Sequence, residues 1–185
     1  MKTLIAAVLT GLLILPATGA FAEEAPASVK NLAPTLADWG KTPALVAAVK
    51  EQNAKNMSLD TIKGMDKTWM ATSGIDDTMK ALMGNPAAKE LLKYESSKPY
   101  FTEVFLMDNQ GANVAMTNKT SDYWQGDEAK FKDSFAGGSG AIHIGKVKFD
   151  KSAQAYLVQV SVPVVDGGQV IGALTIGVNI DELEK

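Results

Sequence analysis

The chain has 185 residues, 46% of them apolar and 21% charged, with a formal net charge of −3, a balance that fits a globular domain and excludes a disordered or collagen-like polymer. It contains no cysteine, and all eighteen of its basic residues are lysine, which excludes a disulfide framework, a thiol nucleophile, a thiolate metal site, a lipid-modified N-terminal cysteine and a bidentate guanidinium clamp. The acidic balance also argues against a surface that tracks nucleic-acid phosphates.

The first element is an export signal. Lys2 supplies a positive start, Leu4 to Leu15 form an apolar run, Pro16 breaks it, and Ala20-Phe21-Ala22 makes an A-x-A cleavage site. Residues 1–22 are therefore predicted to be a signal peptide cleaved after Ala22, which in a Gram-negative host means export to the periplasm. The run is short against a hydrocarbon core ~30 Å thick; the other reading is a retained anchor. A flexible tail over residues 23–28 precedes a single domain over residues 29–185.

The first half of that domain has helical spacing. Leu36, Leu45, Val46 and Val49 recur along it, with Pro34 and Pro43 limiting where turns begin. Ser58 has the character of an N-cap for a helix carrying Leu59, Ile62, Met65 and Trp69. Asp76 or Asp77 caps a short helix through Met83. Asn85-Pro86 is a cap followed by proline at the first helical position, opening a helix that Pro99 ends.

The second half changes to period two. Phe101 to Met107 reads as a strand, Asp108 to Gly111 as a hairpin loop, and Asn113 to Thr117 as the return strand. Thr120 to Phe135 is polar, aromatic and irregular, with a helical turn from Asp127, and a glycine-rich turn follows over Ala136 to Gly140. Three further strands are predicted over Ile142 to Lys148, Ala155 to Val164 and Gln169 to Val178. Asp166-Gly167-Gly168 joins the last two, and a short helical start ends the chain. The class is α+β, with helices covering one face of an antiparallel meander.

Motif by motif, most catalytic chemistry falls away. Asp108-Asn109-Gln110-Gly111 resembles half of a calcium loop, but the closing acid would fall at Lys119. Gly137-Gly138-Ser139-Gly140 lacks the lysine–hydroxyl pair of a P-loop, and Ser134, Ser139 and Ser152 lack the context of a serine hydrolase. Asp127 and Glu128 are adjacent, so they diverge and make a poor acid–base pair. His143, the one histidine, lies on the opposite strand face from Ile142 and Ile144, at the surface or a pocket mouth. The methionines are scattered and read as core. Trp69 continues an apolar helical stripe, while Trp39 packs the N-terminal helix on the body or on a second subunit. The densest polar and aromatic cluster, Thr120 to Phe131, sits between strands. There Tyr123 and Trp124 offer stacking faces and Asp122, Asp127, Glu128 and Lys130 offer charge. It reads either as a ligand loop or as a cover over the sheet.

The order of "FTEVFLMDNQGANVAMT", "TSDYWQGDEAKF", "AYLVQVSVPVVD" and "GGQVIGALTIGVNIDEL" resembles the single Cache domain family, the PAS-like extracytoplasmic sensors of bacterial kinases and chemoreceptors. The resemblance covers Val29 to Leu183 and is strongest from Phe101 onward. It implies a PAS-like five-stranded antiparallel sheet with a long N-terminal helix and further helices packed on it. It also implies a small-molecule pocket between the sheet and its membrane-distal loops. Lys130-Phe131 stands where the family often has arginine and an aromatic; Tyr123 and Trp124 fit the upstream aromatic positions. Tyr156, Gln159 and Ser161 point alternately towards and away from the pocket. Gly177 stands where amino-acid-sensing members carry an aspartate, with Asn179 two residues on.

The expected ligand residues are thus Tyr123, Trp124, Asp127, Lys130, His143, Tyr156 and Gln159, with no catalytic residue, metal or cofactor. The expected function is a periplasmic sensor that binds a small metabolite, such as a carboxylate held by Lys130, and signals to a membrane-bound receptor or kinase. Ending at Lys185, where family members begin a second membrane helix, the chain is expected to have no output of its own. The alternative is an interaction module with a degenerate pocket, dimerising through an N-terminal helix that carries Leu36, Trp39, Leu45, Val46 and Val49, or docking a receptor. An enzyme has no support beyond generic acids.

Overall fold

Four helix starts are fixed by side chains that satisfy otherwise orphaned backbone donors, the last by Asn179, which accepts from Glu182 N–H. The Ser58 hydroxyl accepts from Thr61 N–H, Asp76 from Met79 N–H and Asn85 from Ala88 N–H. The computed structural model describes residues 23–151 and 153–185; the predicted signal peptide over residues 1–22, and Ser152, lie outside the described residues. The helices are α1 (Ala27–Leu36), α2 (Pro43–Ala54), α3 (Leu59–Ala71), α4 (Asp77–Gly84), α5 (Pro86–Ser96), α6 (Ala129–Phe135) and α7 (Ile180–Leu183). The strands are β1 (Phe101–Met107), β2 (Asn113–Met116), β3 (His143–Ile144), β4 (Lys148–Asp150), β5 (Ala155–Asp166) and β6 (Gln169–Asn179). No described helix is long and apolar enough to cross a membrane.

The strands form one antiparallel sheet in the order β2-β1-β6-β5-β3, with β4 also paired to β5. The α+β class and the antiparallel sheet agree with expectation. Gly167 and Gly168, both at positive φ, make the two-residue turn of the β5–β6 hairpin. Three details differ from the sequence reading.

The N-terminal helix is not continuous. A 3-10 turn, Ala37–Lys41, separates α1 from α2, and Thr42 is extended because Pro43 follows it. The turn lays Gly40 against β5, where a Cβ would come within 2.1 Å of the Pro163 carbonyl oxygen. The outer strand expected over Ile142 to Lys148 is two pieces. Val147 N–H turns away from the ladder to the Glu23 carbonyl, at 2.8 Å, and pairing with β5 resumes at Lys148.

Finally, helices cover both faces of the sheet. Val104, Leu106, Val158, Val160 and Ile176 pack beneath α1, α2 and α5, against Leu36, Leu45, Val49 and Leu91. Phe105, Met107, Met116 and Ala173 pack on the other face against Ile62, Trp69, Met79 and Phe131 of α3, α4 and α6. A central strand apolar at both parities needs cover on both sides. The same packing overturns the expected dimer surface. Leu36, Leu45 and Val49 are buried within this chain, and Trp39 stacks on Tyr94 at 4.3 Å with Phe101 at its edge. The first and last helices also meet, with the Ser28 hydroxyl donating to Glu184 at 2.8 Å.

Candidate functional site

Alternation along β1 and β5 places Glu103, Phe105, Leu157 and Gln159 away from the α1–α2–α5 layer. Where Phe105 lies, the second helical layer closes over the sheet. Beyond it, at Glu103 and Gln159, the layer stops and leaves a cleft. Two hollows meet there and share Glu103, Ser121, Lys130, Asp150 and Gln159. The inner one, about 500 Å³, reaches Trp69, Phe105 and Gln125. The outer one, about 650 Å³, opens past His143, Ile144 and Phe149. Both are of ligand size.

Glu103 anchors the floor. Its side chain crosses β6 at Gly177, where a Cβ would come within 2.5 Å of Glu103 Cγ. Gln159 Nε2 donates to Glu103 Oε1 at 2.9 Å. Burial pushes the Glu103 carboxyl above the usual carboxylate range, more than the Gln159 bond and the nearby Lys130 charge pull it down. Lys130 enters from α6 with a side chain only 10% exposed, its Nζ 3.1 Å from Glu128 Oε2 and 5.3 Å from the Phe105 ring centroid. Gln125 closes the inner wall at 1% exposure. Its Nε2 donates to the Asp122 carbonyl at 2.7 Å, while its Oε1 is buried without a hydrogen-bond partner.

Of the residues expected at the site, Lys130, Gln159 and His143 are brought together on this cleft. His143 sits at the outer mouth, its Nδ1 2.8 Å from Asp133 Oδ2. The other four lie elsewhere. Residues 123–125 run beside 111–113 like a short strand, with Asn113 N–H donating to the Tyr123 carbonyl and Gln125 N–H to that of Gly111. Asp66 Oδ1 pins the segment by accepting from the backbone N–H groups of Tyr123 and Trp124. This turns Tyr123 into the core at 2% exposure, against Trp69, where burial pushes its hydroxyl up to about 12. Trp124 faces the opposite way, with Nε1–H donating to the Gln110 carbonyl and Lys63 Nζ over its ring. Together with Asp127 it borders a separate hollow beside α3. Tyr156 is 50% exposed, its ring edge-on to Phe149.

Sequence reasoning missed Glu103, Gln125, Trp69 and Asp150. For Glu103 a signal existed: it is the one charged residue in a mostly apolar strand and shares a face with Phe105 and Met107. Gln125 carried none beyond its place in the aromatic loop.

Fold and cleft define an α+β sheet domain with a ligand-sized, polar-floored hollow where one covering layer ends. Neither the protein-family models nor the curated proteins contain a match to the chain. Among solved structures, it is similar to the sensor domain of the V. cholerae histidine kinase DctB, at 10% identity and a TM-score of 0.42, over 85% of this chain and 50% of that one. It is similar to the sensory domain of a Campylobacter jejuni chemoreceptor, at 14% identity and 0.44, over 84% and 64%. A third match is the ligand-binding domain of a Pseudomonas aeruginosa amino-acid chemoreceptor in complex with GABA, at 16% and 0.39, over 84% and 63%. The chain thus spans between half and just under two thirds of the length of these structures.

Proposed function

We propose that this protein is an extracytoplasmic sensor domain that binds a small polar metabolite in the cleft between β1, β5 and α6 and passes that state to a membrane-bound partner, without catalysis. The observation that carries the reading is the cleft itself: a ligand-sized hollow floored by a partly buried carboxylate and walled by an almost buried lysine. A carboxylate whose ionisation is perturbed by burial in a cleft marks a candidate functional site. The Cache-like order of motifs supports a sensor, and the N-terminal segment supports export. A carboxylate on the ligand would meet Lys130, a cation already engaged by Glu128. The interaction-module alternative is weaker, because Leu36, Leu45 and Val49, three of the five apolar residues meant for its interface, are core, and Trp39 and Val46 are partly buried against it.

The test is a thermal-shift screen of the purified protein against organic acids, amino acids, amines and purines, with denaturing mass spectrometry for a co-purified molecule. A ligand at a hundred times its dissociation constant adds about 2.7 kcal/mol, a rise of several degrees. Lys130→Ala and Gln159→Ala are expected to weaken it. No ligand in either experiment would defeat the sensor reading.

A further inference from the structure

The methionines are not spread through the fold. Met1 lies outside the described residues, and six of the seven that remain pack in the cover over the cleft-side face of the sheet. Met79, Met107 and Met116 are buried there, and Met57, Met65 and Met83 are half-buried. The larger core on the other face holds none among the described residues. Met70, the seventh, is 54% exposed on α3 and borders both the inner hollow and the separate hollow beside α3. The chain has no cysteine, so thioethers are its only sulfur groups, and their susceptibility to oxidation follows exposure.

Met70 stands between two anchors of α3. Trp69 Nε1–H donates to the Thr120 carbonyl at 2.9 Å, and Lys119 Nζ to the carbonyls of Thr72 and Gly74 at 2.8 and 3.0 Å. These bonds tie the C-terminal end of α3 to Lys119 and Thr120, which wall the inner hollow with Ser121 and Gln125. Lys119 and Lys130 line the hollow on one side of Met70, and Lys63 and Lys67 the hollow on the other. A thioether sulfur is a weak acceptor for such donors, whereas a sulfoxide is polar and carries an oxygen that accepts from them.

We propose that Met70 is an oxidative modification site, with a peroxide as the reactant, and that its sulfoxide draws on the lysines around it, loosens the anchored end of α3 and so alters the wall of the inner hollow. The Met70 sulfur lone pair attacks one peroxide oxygen. The O–O bond breaks as the S–O bond forms, and the second oxygen leaves with both protons as water. Sulfur loses two electrons and the peroxide gains them. The proposal needs no ligand and does not depend on the sensor reading.

The experiment exposes the purified protein to hydrogen peroxide, follows each methionine by peptide mass mapping, and measures backbone hydrogen exchange in the fraction that has gained one oxygen. Met70 is expected to react about tenfold faster than Met57, Met65 or Met83, with Met79, Met107 and Met116 last. Exchange over residues 119–125 is expected to rise about tenfold in the singly oxidised protein, and to return after treatment with methionine sulfoxide reductases. Met70→Leu keeps the volume without the sulfur and is expected to lose both the fast oxidation and the rise in exchange. Met70→Gln supplies an oxygen without oxidant and is expected to reproduce the rise. Equal rates at Met70 and the half-buried methionines would overturn the site. Fast oxidation of Met70 with exchange over residues 119–125 unchanged would overturn its effect on the hollow. Either failure leaves the outcome of the ligand screen untouched.

Discussion

Glu103 shows how a site residue can be destabilising. Its carboxyl is raised by burial, so its contribution to folding is fully present below the unfolded value, near 4.3, and is lost as pH rises through the folded value. At neutral pH the fold therefore carries a charge that it disfavours. Glu103→Gln removes the charge and keeps an oxygen to accept from Gln159. Thermal melts are expected to show the variant with a higher Tm than the unaltered protein at pH 7, and the gap closing towards pH 4. A Tm difference that does not change with pH would mean that Glu103 is not desolvated. At this scale the sequence was legible in part. The family resemblance singles out Lys130 and Gln159 and strand alternation singles out His143, and all three line the cleft, whereas the directions of Tyr123 and Trp124 are not legible in the sequence. Their direction depends on a bond from Asp66, 57 and 58 residues away, which no local pattern encodes.

Elements were legible where their signals are local. The caps at Ser58, Asp76 and Asn85, the strand from Phe101 to Met107 and the Gly167-Gly168 turn all follow from a few adjacent side chains. The breaks in the N-terminal helix and the outer strand were not, because each is set by a distant contact: Gly40 on β5, and Val147 on Glu23. Gly40 offers the sharper test. Its backbone conformation is ordinary for any residue, but the approach to Pro163 leaves no room for a methyl group. Gly40→Ala is expected to cost about 1–3 kcal/mol in denaturant unfolding, as overpacked sites do. A neutral result would mean that the 3-10 turn is free to lift from the sheet.

For the whole molecule, the change from helical to alternating periodicity predicts the class, but the double cover of the sheet needs the contacts. The cleft opens on one side of the sheet, and the larger apolar core lies on the other. Leu45 is buried on the side away from the cleft. Leu45→Ala is expected to cost about 2–5 kcal/mol of stability while leaving ligand affinity within twofold at temperatures where the protein stays folded. Loss of affinity in the folded variant would mean that the layers are coupled through β5.

The contact between α1 and α7 has a mechanical consequence. Ser28 and Glu184 are one hydrogen bond apart, so the described chain is almost a closed ring. Two tethers, one from each end, would hold the domain by the same corner. Tension between them would load that corner first, and the strands that floor the cleft would feel it only after the two helices part.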